Sequence, residues 1–95
     1  MERTRYIVLY TDYVRKKLPS LPKSVLSVIK KAIEERLTVA PLELGKPLGG
    51  SLRGYYRLRV GHYRIIYCVE KKTVTVLIVE IDHRSIVYQC PVSKE

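Results

Sequence analysis

The sequence has few cysteines and no long apolar run. Its two cysteines, Cys68 and Cys90, lack CxxC spacing and have no cluster of ligand residues beside them, so we expect reduced thiols and no metal or cofactor. No apolar run approaches the ~20 residues that span a bilayer, and the N-terminus becomes charged too early for a secretory segment. These absences predict a soluble, cytoplasmic protein.

Acidic residues are also scarce. Lys and Arg number 18 against 9 for Asp and Glu, which gives a formal charge of +9 and a pI of about 9.8. This excess predicts a polyanionic partner, and on charge alone nucleic acid, an acidic protein and an anionic membrane surface all stay open. The chain has 95 residues, 46% of them hydrophobic. We therefore expect one folded domain over residues 1–95, with no room for a second core.

The first half of the chain contains the signals of one strand and two helices. The apolar, β-forming run YIVLY predicts a buried strand at residues 6–10. Asp12 is then placed to cap a short helix that runs to about Leu18. In SVLSVIKKAIEERL, apolar residues recur every three or four positions. This spacing predicts an amphipathic helix over residues 22–39 whose charged face is solvated.

The second half contains the signals of a loop and three strands. Residues 38–54, TVAPLELGKPLGGSLRG, hold two prolines and four glycines and predict a loop. Three β-forming runs follow at residues 55–60, 63–70 and 73–81. They are separated by the dipeptides Gly61-His62 and Lys71-Lys72, which have the length of tight hairpin turns. The sequence thus predicts an α+β fold with an antiparallel meander after two helices.

The first hairpin, YYRLRVGHYRIIY, gathers arginines among aromatic and branched residues. A two-residue turn pairs Val60 with Tyr63 and directs one set of alternating side chains toward the helices. Arg57, Arg59 and Arg64 then share the other face, and Arg59 lies directly opposite Arg64. Like charges opposite each other destabilise a sheet. Stability alone therefore does not account for these arginines, and we expect an anionic ligand on their face.

Nucleic acid is the predicted ligand of this face. The planar guanidinium fork suits phosphate, and the interleaved tyrosines offer stacking surfaces for unpaired bases, which favours RNA or single-stranded nucleic acid. The alternative is that the arginines only solubilise the sheet by pairing with Glu70, Glu80 or Asp82. No acidic residue alternates with the arginines inside the hairpin itself, and this favours the ligand.

The C-terminal segment IDHRSIVYQ follows the last predicted strand and brings proton-transfer candidates toward the edge of the arginine face. Histidine has an intrinsic pKa near neutrality, and His83 has a charged residue on each side, Asp82 and Arg84. A structural or solvated role for His83 also stays open. His62, in the turn, is expected to be exposed and idle. Tyr88 is either a core aromatic residue or a platform for base stacking.

Two stretches, LGKPLGGSLRGYYRLRVGHYRIIY and VTVLIVEIDHRSIVYQ, resemble the RelE/ParE superfamily of toxins from toxin-antitoxin systems. The resemblance covers residues 6–89 and is most specific in R-x-R-V-G-x-Y-R-I-I-Y and H-R-x-x-V-Y. It implies a RelE-like, microbial ribonuclease-type fold in which two N-terminal helices pack on a twisted antiparallel β-sheet. For RelE-like members it implies a metal-independent, ribosome-dependent endoribonuclease. Such an enzyme cuts mRNA in the ribosomal A site, where the 2′-hydroxyl attacks the adjacent phosphate and leaves a 2′,3′-cyclic phosphate.

The resemblance also implies roles for residues of the hairpin. Arg57 and Arg59 match the basic strand pair that holds the RNA backbone, and Arg53 and Tyr55 belong to the same RNA-binding surface. Arg64 matches the arginine that stabilises the phosphorane-like charge during cleavage. These roles agree with the chemistry, because RNA transesterification needs charge stabilisation at phosphorus more than it needs a covalent nucleophile.

The C-terminal residues match the pattern of the superfamily less closely than the hairpin does. Tyr88 matches the tyrosine that stacks on a base or assists proton transfer. Asp82 stands at the position of a second catalytic arginine, and Arg84, two residues later and on the same face of a strand, is predicted to take its place. Because arginine is a poor proton acceptor, proton transfer falls to His83 or Tyr88.

The partners that the resemblance implies are a cognate antitoxin and the ribosome with its mRNA. The antitoxin is expected to carry an acidic segment that folds on binding, in an assembly that can be a heterotetramer, and no membrane partner is implied. Two other functions stay open. One is a ParE-like toxin that inhibits DNA gyrase by protein contact, and the other is a basic RNA-binding toxin homologue without activity. The paired basic strand residues and H-R-x-x-V-Y favour the nuclease.

Overall fold

The computed structural model describes residues 5–83, which form a five-stranded sheet with helices packed on one face. The helices are α1 (Asp12–Lys17), α2 (Lys23–Ala32), which continues as the π-helical turn Ile33–Leu37, and α3 (Pro41–Leu44). The strands are β1 (Ile7–Tyr10), β2 (Lys46–Pro47), β3 (Tyr55–Val60), β4 (Tyr63–Glu70) and β5 (Thr75–His83). The α+β prediction of two N-terminal helices packed on a sheet is confirmed. Within the described residues no helix is long and apolar enough to cross a bilayer.

The two N-terminal helices form where the sequence predicts them. α1 begins after Thr11, whose side-chain oxygen accepts a hydrogen bond from the Val14 N–H at 3.2 Å. Thr11, and not Asp12, is therefore the N-cap. α2 begins directly after Pro22 and buries Ile29 against the sheet, while its charged residues stay exposed. Burial of one apolar face accounts for helix formation here.

β3 and β4 have the predicted bounds and the predicted register. All six cross-strand pairs are those of a two-residue turn, including Arg59 opposite Arg64. Gly61 in the turn has a φ of 61°, a left-handed conformation that is costly for any residue with a Cβ. The glycine thus permits the tight turn, and the turn sets the register. Leu58 and Ile65 consequently lie in the core beneath the helices, and the arginines lie on the opposite face.

The sheet is mixed, with the strand order β1-β5-β4-β3-β2. The antiparallel meander predicted for β3 to β5 is correct, but β1 runs parallel to β5, with Ile7 opposite Thr75 and Tyr10 opposite Ile78. This pairing is possible because β1 and β5 are not joined by a hairpin: both helices and the strands β2 to β4 lie between them in the chain. The β4–β5 connection is also longer than predicted, since β5 begins at Thr75 and not at Thr73.

The predicted loop at residues 38–54 contains regular structure. Pro41 opens α3, and β2 pairs with β3 at the edge of the sheet, with Lys46 opposite Arg57. Tyr67 ties this connection to the core, because its buried hydroxyl donates a hydrogen bond to the Pro41 carbonyl oxygen at 2.6 Å. A Cβ added to Gly45 would overlap that hydroxyl and approach the ring carbon Cζ to 2.8 Å.

The buried hydroxyl of Tyr67 predicts a loss of stability in alkali. Burial, with a smaller contribution from Tyr56, raises the pKa of Tyr67. Stability from the neutral hydroxyl is complete below about pH 10, the pKa of an unfolded tyrosine, and falls above it by up to about 1.4 kcal/mol per pH unit. Urea titrations between about pH 8 and about pH 11 should therefore give a shallower alkaline decline for Tyr67→Phe than for wild type. Tyr13→Phe, at a side chain that is 54% exposed, is the control and should keep the wild-type decline.

Candidate functional site

The face of the sheet that points away from the helices, the outer face, carries most of the predicted site residues. Paired residues cross this face in two rows. One row runs through Lys46, Arg57, Ile66 and Glu80, and the other through Arg59, Arg64 and Asp82. We call Arg57, Arg59, Arg64, Glu80 and Asp82 the charged patch. The prediction that the three arginines share one face is thus correct.

The arginines of the charged patch lie at different depths. Arg59 is exposed, Arg57 is half-buried and Arg64 is only 3% exposed. The residues opposite Arg57 on its two neighbouring strands are Lys46 and Ile66, so no carboxylate faces it across the ladder. A ligand on the outer face therefore meets the guanidinium of Arg59 first, and Arg64 forms the base of the patch.

β5 adds two buried carboxylates to the patch. Asp82 lies directly opposite Arg64 and is 4% exposed, and Glu80, one pair further along, is 1% exposed. Glu70 is exposed at the far end of β4. The alternative in which acidic residues neighbour the arginines therefore has a structural basis for Arg64, whose acidic neighbours are Asp82 and Glu80. Glu70 gives it no support.

A β-bulge decides which side chains of β5 reach the outer face. Consecutive residues of β4 pair with Ile78 and Glu80, so Val79 is an extra residue in β5. Because successive side chains of a strand alternate between the two faces, one extra residue exchanges the faces of all residues beyond it. Glu80 and Asp82 consequently join the arginines, and His83 falls on the helix side.

Lys17 completes the charged patch, and nothing in the sequence indicated it. Its Nζ donates a hydrogen bond to Asp82 Oδ2 at 2.5 Å and lies 3.9 Å from Glu80 Oε2. Burial alone lowers the pKa of Lys17, but the hydrogen bond to Asp82 and the charges of both carboxylates raise it above its usual value. Lys17 and Asp82 are 65 positions apart, and the parallel pairing of β1 with β5 brings α1 beside the strand.

The two histidines lie together at one end of the sheet. The His83 ring meets the Tyr63 ring edge-on at a centroid distance of 5.5 Å and stacks on the His62 ring at 5.9 Å. His62 is exposed, as predicted. The backbone N–H of His83 donates a hydrogen bond to Asp82 Oδ1 at 2.9 Å. The structure thus holds the His83 backbone beside the charged patch and its imidazole on the other side of the sheet.

The other predicted site residues fall in three places. Arg53 is exposed just before β3, and Tyr55 is half-buried on the outer face opposite Cys68. Arg84 and Tyr88, with predicted roles in catalysis, lie outside the described residues.

Burial, with a smaller effect of Glu70, raises the pKa of the Cys68 thiol. Within residues 5–83, no three His, Cys, Asp or Glu side chains come together as a metal ion requires.

A family model described as the ParE toxin of type II toxin-antitoxin systems, parDE, matches residues 8–88. The chain belongs to this toxin family, as the resemblance in its hairpin and C-terminal motif predicted.

Relatives in this superfamily are similar over most of the chain. The chain is 34% identical to toxin RelG of Mycobacterium tuberculosis over 84 residues, which cover 88% of this chain and 97% of that protein. Its fold matches a chain of the toxin-antitoxin complex RelBE2 from the same organism with a TM-score of 0.81, at 33% identity over 88% of this chain and 97% of that one. The archaeal RelE-RelB complex from Pyrococcus horikoshii OT3 matches with a TM-score of 0.67, at 29% identity, with 84% and 96% of the two chains covered.

Proposed function

We propose that this toxin is a ribosome-dependent endoribonuclease that cleaves mRNA in the A site and thereby inhibits translation. The observation that carries the proposal is the direct pairing of Arg59 with Arg64, with Arg57 on the same face. Like charges directly opposite each other cost roughly a few tenths of a kcal/mol. Asp82 lies opposite Arg64, but no carboxylate lies opposite Arg57 or Arg59 in the ladder. An RNA phosphate on this face offsets the charge of these two arginines, and it suits the guanidinium fork.

The proposed reaction uses charge and position, and it needs no metal. Arg57 and Arg59 hold the RNA backbone, with Arg53 and Tyr55 beside them, and the 2′-hydroxyl attacks the adjacent phosphate. As the new bond to phosphorus forms, negative charge grows on the non-bridging oxygens, and Arg64 is the residue to which we assign its stabilisation. The bond to the 5′-oxygen of the next nucleotide then breaks, which leaves a 2′,3′-cyclic phosphate on one fragment.

Proton transfer completes the reaction and falls to the C-terminal residues. One residue has to accept the proton of the 2′-hydroxyl, and one has to donate a proton to the leaving oxygen. The His83 ring packs against Tyr63 on the helix side, so the proposal uses Tyr88 to pass the proton. Its hydroxyl donates a proton to the leaving 5′-oxygen and accepts the proton of the 2′-hydroxyl, and Arg84 is the second catalytic arginine.

The proposed partners are a cognate antitoxin and the translating ribosome. Related folds occur in the RelBE2 toxin-antitoxin complex and in the archaeal RelE-RelB complex. The formal charge of +9 favours an antitoxin whose covering segment is acidic and folds on binding. A heterotetramer with the antitoxin in the cytoplasm is part of the proposal.

A translation reaction with a defined mRNA tests the proposal. The purified protein is added, and new RNA ends are mapped by primer extension. Ends that lie within codons, and that appear only when the mRNA is being translated, are the expected result. Intact mRNA with unimpaired translation would contradict the proposal.

The match to the ParE family model favours a second candidate, a toxin that inhibits DNA gyrase by protein contact. This candidate predicts intact mRNA together with loss of supercoiling when gyrase, relaxed plasmid and the toxin are combined. Unimpaired supercoiling at toxin concentrations that stop translation would exclude it.

The exposed part of the charged patch predicts a salt-dependent contribution to RNA binding. Arg57→Ala/Arg59→Ala should weaken binding of a single-stranded RNA and lower the slope of log K against log salt by about 0.7 for each phosphate that the variant no longer neutralises. Fluorescence anisotropy in a series of KCl concentrations measures both quantities. Lys30→Ala/Lys31→Ala removes the same charge from the exposed face of α2. An equal weakening in both double variants would mean that the RNA does not prefer the outer face.

A further inference from the structure

The charged patch places anions where the proposed ligand is also an anion. Asp82 lies directly opposite Arg64, and the Cβ atoms of such a pair are about 5 Å apart. An RNA phosphate held by Arg64 therefore comes close to the Asp82 carboxylate. Both residues are nearly inaccessible to water, so solvent and salt screen the repulsion poorly. Asp82 and Glu80 together carry two negative charges against the one positive charge of Arg64, so without a second cation these carboxylates oppose RNA binding.

Lys17 supplies the compensation from the side of β5 that faces away from the arginines. α1 lies beside β5, on the opposite side from β4. Asp82 Oδ2 accepts a hydrogen bond from the Lys17 ammonium, and Oδ1 accepts one from the His83 N–H, so donors occupy both oxygens. The ammonium also lies 5.5 Å from the centroid of the Tyr13 ring, a distance at which a cation and an aromatic face attract each other.

We propose that Lys17 is a positioning residue of the RNA site. It holds the carboxylates of Asp82 and Glu80 and compensates their charge, so that a phosphate can approach Arg59 and Arg64 without a competing anion. This inference rests on the proposed function, because it places RNA on the charged patch. Lys17 itself does not touch the RNA, and its effect passes through Asp82.

Binding of a single-stranded RNA with 2′-O-methyl groups, which cannot be cleaved through the 2′-hydroxyl, tests the inference by fluorescence anisotropy. Lys17→Met should raise the Kd about tenfold more than Lys16→Met, its matched control. Lys16 is an exposed lysine on the same helix, so its loss removes an equal charge without uncovering a carboxylate. Lys17→Arg keeps the charge and should stay within about threefold of wild type.

Removal of the carboxylate separates this role from a purely structural one. Lys17→Met/Asp82→Asn has the wild-type net charge and should return the Kd to within about threefold of wild type. Asp82→Asn alone should bind RNA at least as tightly as wild type. If Lys17→Met and Lys16→Met bind RNA equally, Lys17 only stabilises the fold, and the inference is wrong.

A folding defect does not weaken the test. Loss of one partner of a buried ion pair is strongly destabilising, and thermal unfolding of each variant will identify chains that do not fold. If Lys17→Met is unfolded, Asp82→Asn decides, and binding weaker than wild type by more than about threefold overturns the inference.

The outcomes for the nuclease and for Lys17 are distinguishable. Wild-type protein that binds the RNA but leaves mRNA intact in a translation reaction refutes the nuclease, whereas the comparison of Lys17→Met with Lys16→Met still stands. Wild-type protein that does not bind the RNA refutes the placement of RNA on the charged patch and the role of Lys17 with it.

Discussion

Arg64→Ala is expected to lower mRNA cleavage in a translation reaction by about 10²–10³-fold, the usual cost of removing one group that stabilises transition-state charge. Arg64 lies at the base of the charged patch, between Arg59 on β3 and Asp82 on β5. Its burial gives its charge a greater effect on a developing oxyanion than an exposed charge has. Alanine removes that charge and leaves Arg59 in place to bind the RNA, so cleavage should fall much more than binding.

Two further variants sharpen this prediction. Arg64→Lys keeps the positive charge but loses the planar fork, and we expect a smaller loss of cleavage than with alanine. Arg15→Ala, on the exposed side of α1, is the control and should cleave like wild type. Thermal unfolding shows whether each variant is folded. Cleavage at the wild-type rate by a folded Arg64→Ala would remove Arg64 from the chemistry.

Gly45→Ala is expected to destabilise the fold by about 3 kcal/mol, at the upper end of the usual cost of overpacking. The alanine Cβ would overlap the Tyr67 hydroxyl. Tyr67 is poorly placed to yield, because its hydroxyl is bonded to Pro41 and its ring stacks on Tyr56 at a centroid distance of 5.7 Å. The φ of Gly45 is −92°, which any residue adopts, so the expected effect is steric.

Thermal unfolding measures this effect, which for a chain of this size corresponds to a fall in Tm of roughly 12–24 °C. Gly49→Ala is the matched control, because a Cβ there has open space around it and the Gly49 backbone is extended. Tyr67→Phe removes the overlapping oxygen and should recover part of the stability in the double variant Gly45→Ala/Tyr67→Phe. A Gly45→Ala protein as stable as Gly49→Ala would show that the α3 connection moves aside freely.

Local sequence signals were sufficient to predict those elements whose structure depends on residues close to one another in the chain. The Gly61-His62 turn determines the β3–β4 register, and the register places Arg57, Arg59 and Arg64 on one face. Each step involves residues close in sequence, and the alternation of side chains along a strand then determines the face on which each residue lies. The amphipathic helix α2 is equally local, since its apolar spacing decides which face is buried.

The features that the sequence did not predict depend on contacts between distant segments. The parallel pairing of β1 with β5 joins strands between which both helices and the strands β2 to β4 lie in the chain. The ion pair of Lys17 with Asp82 depends in turn on that pairing. The bulge at Val79 has no signature in the run TVLIVEIDH, and for that reason the faces of Asp82 and His83 could not be assigned from alternation alone.

The bulge determines what a one-residue change in the last strand does to the charged patch. Val79 is the residue that the bulge leaves without a partner on β4, so a chain that lacked it would keep Glu80 opposite Ile66 and Asp82 opposite Arg64. A chain that kept Val79 but paired it with Ile66 would instead move each later residue one position along β4. Glu80 and Asp82 would then point into the apolar core, and the arginines would lose their carboxylate neighbours. Comparisons between members of this superfamily should therefore align this strand by its cross-strand partners, because a one-residue gap at Val79 leaves the charged patch unchanged.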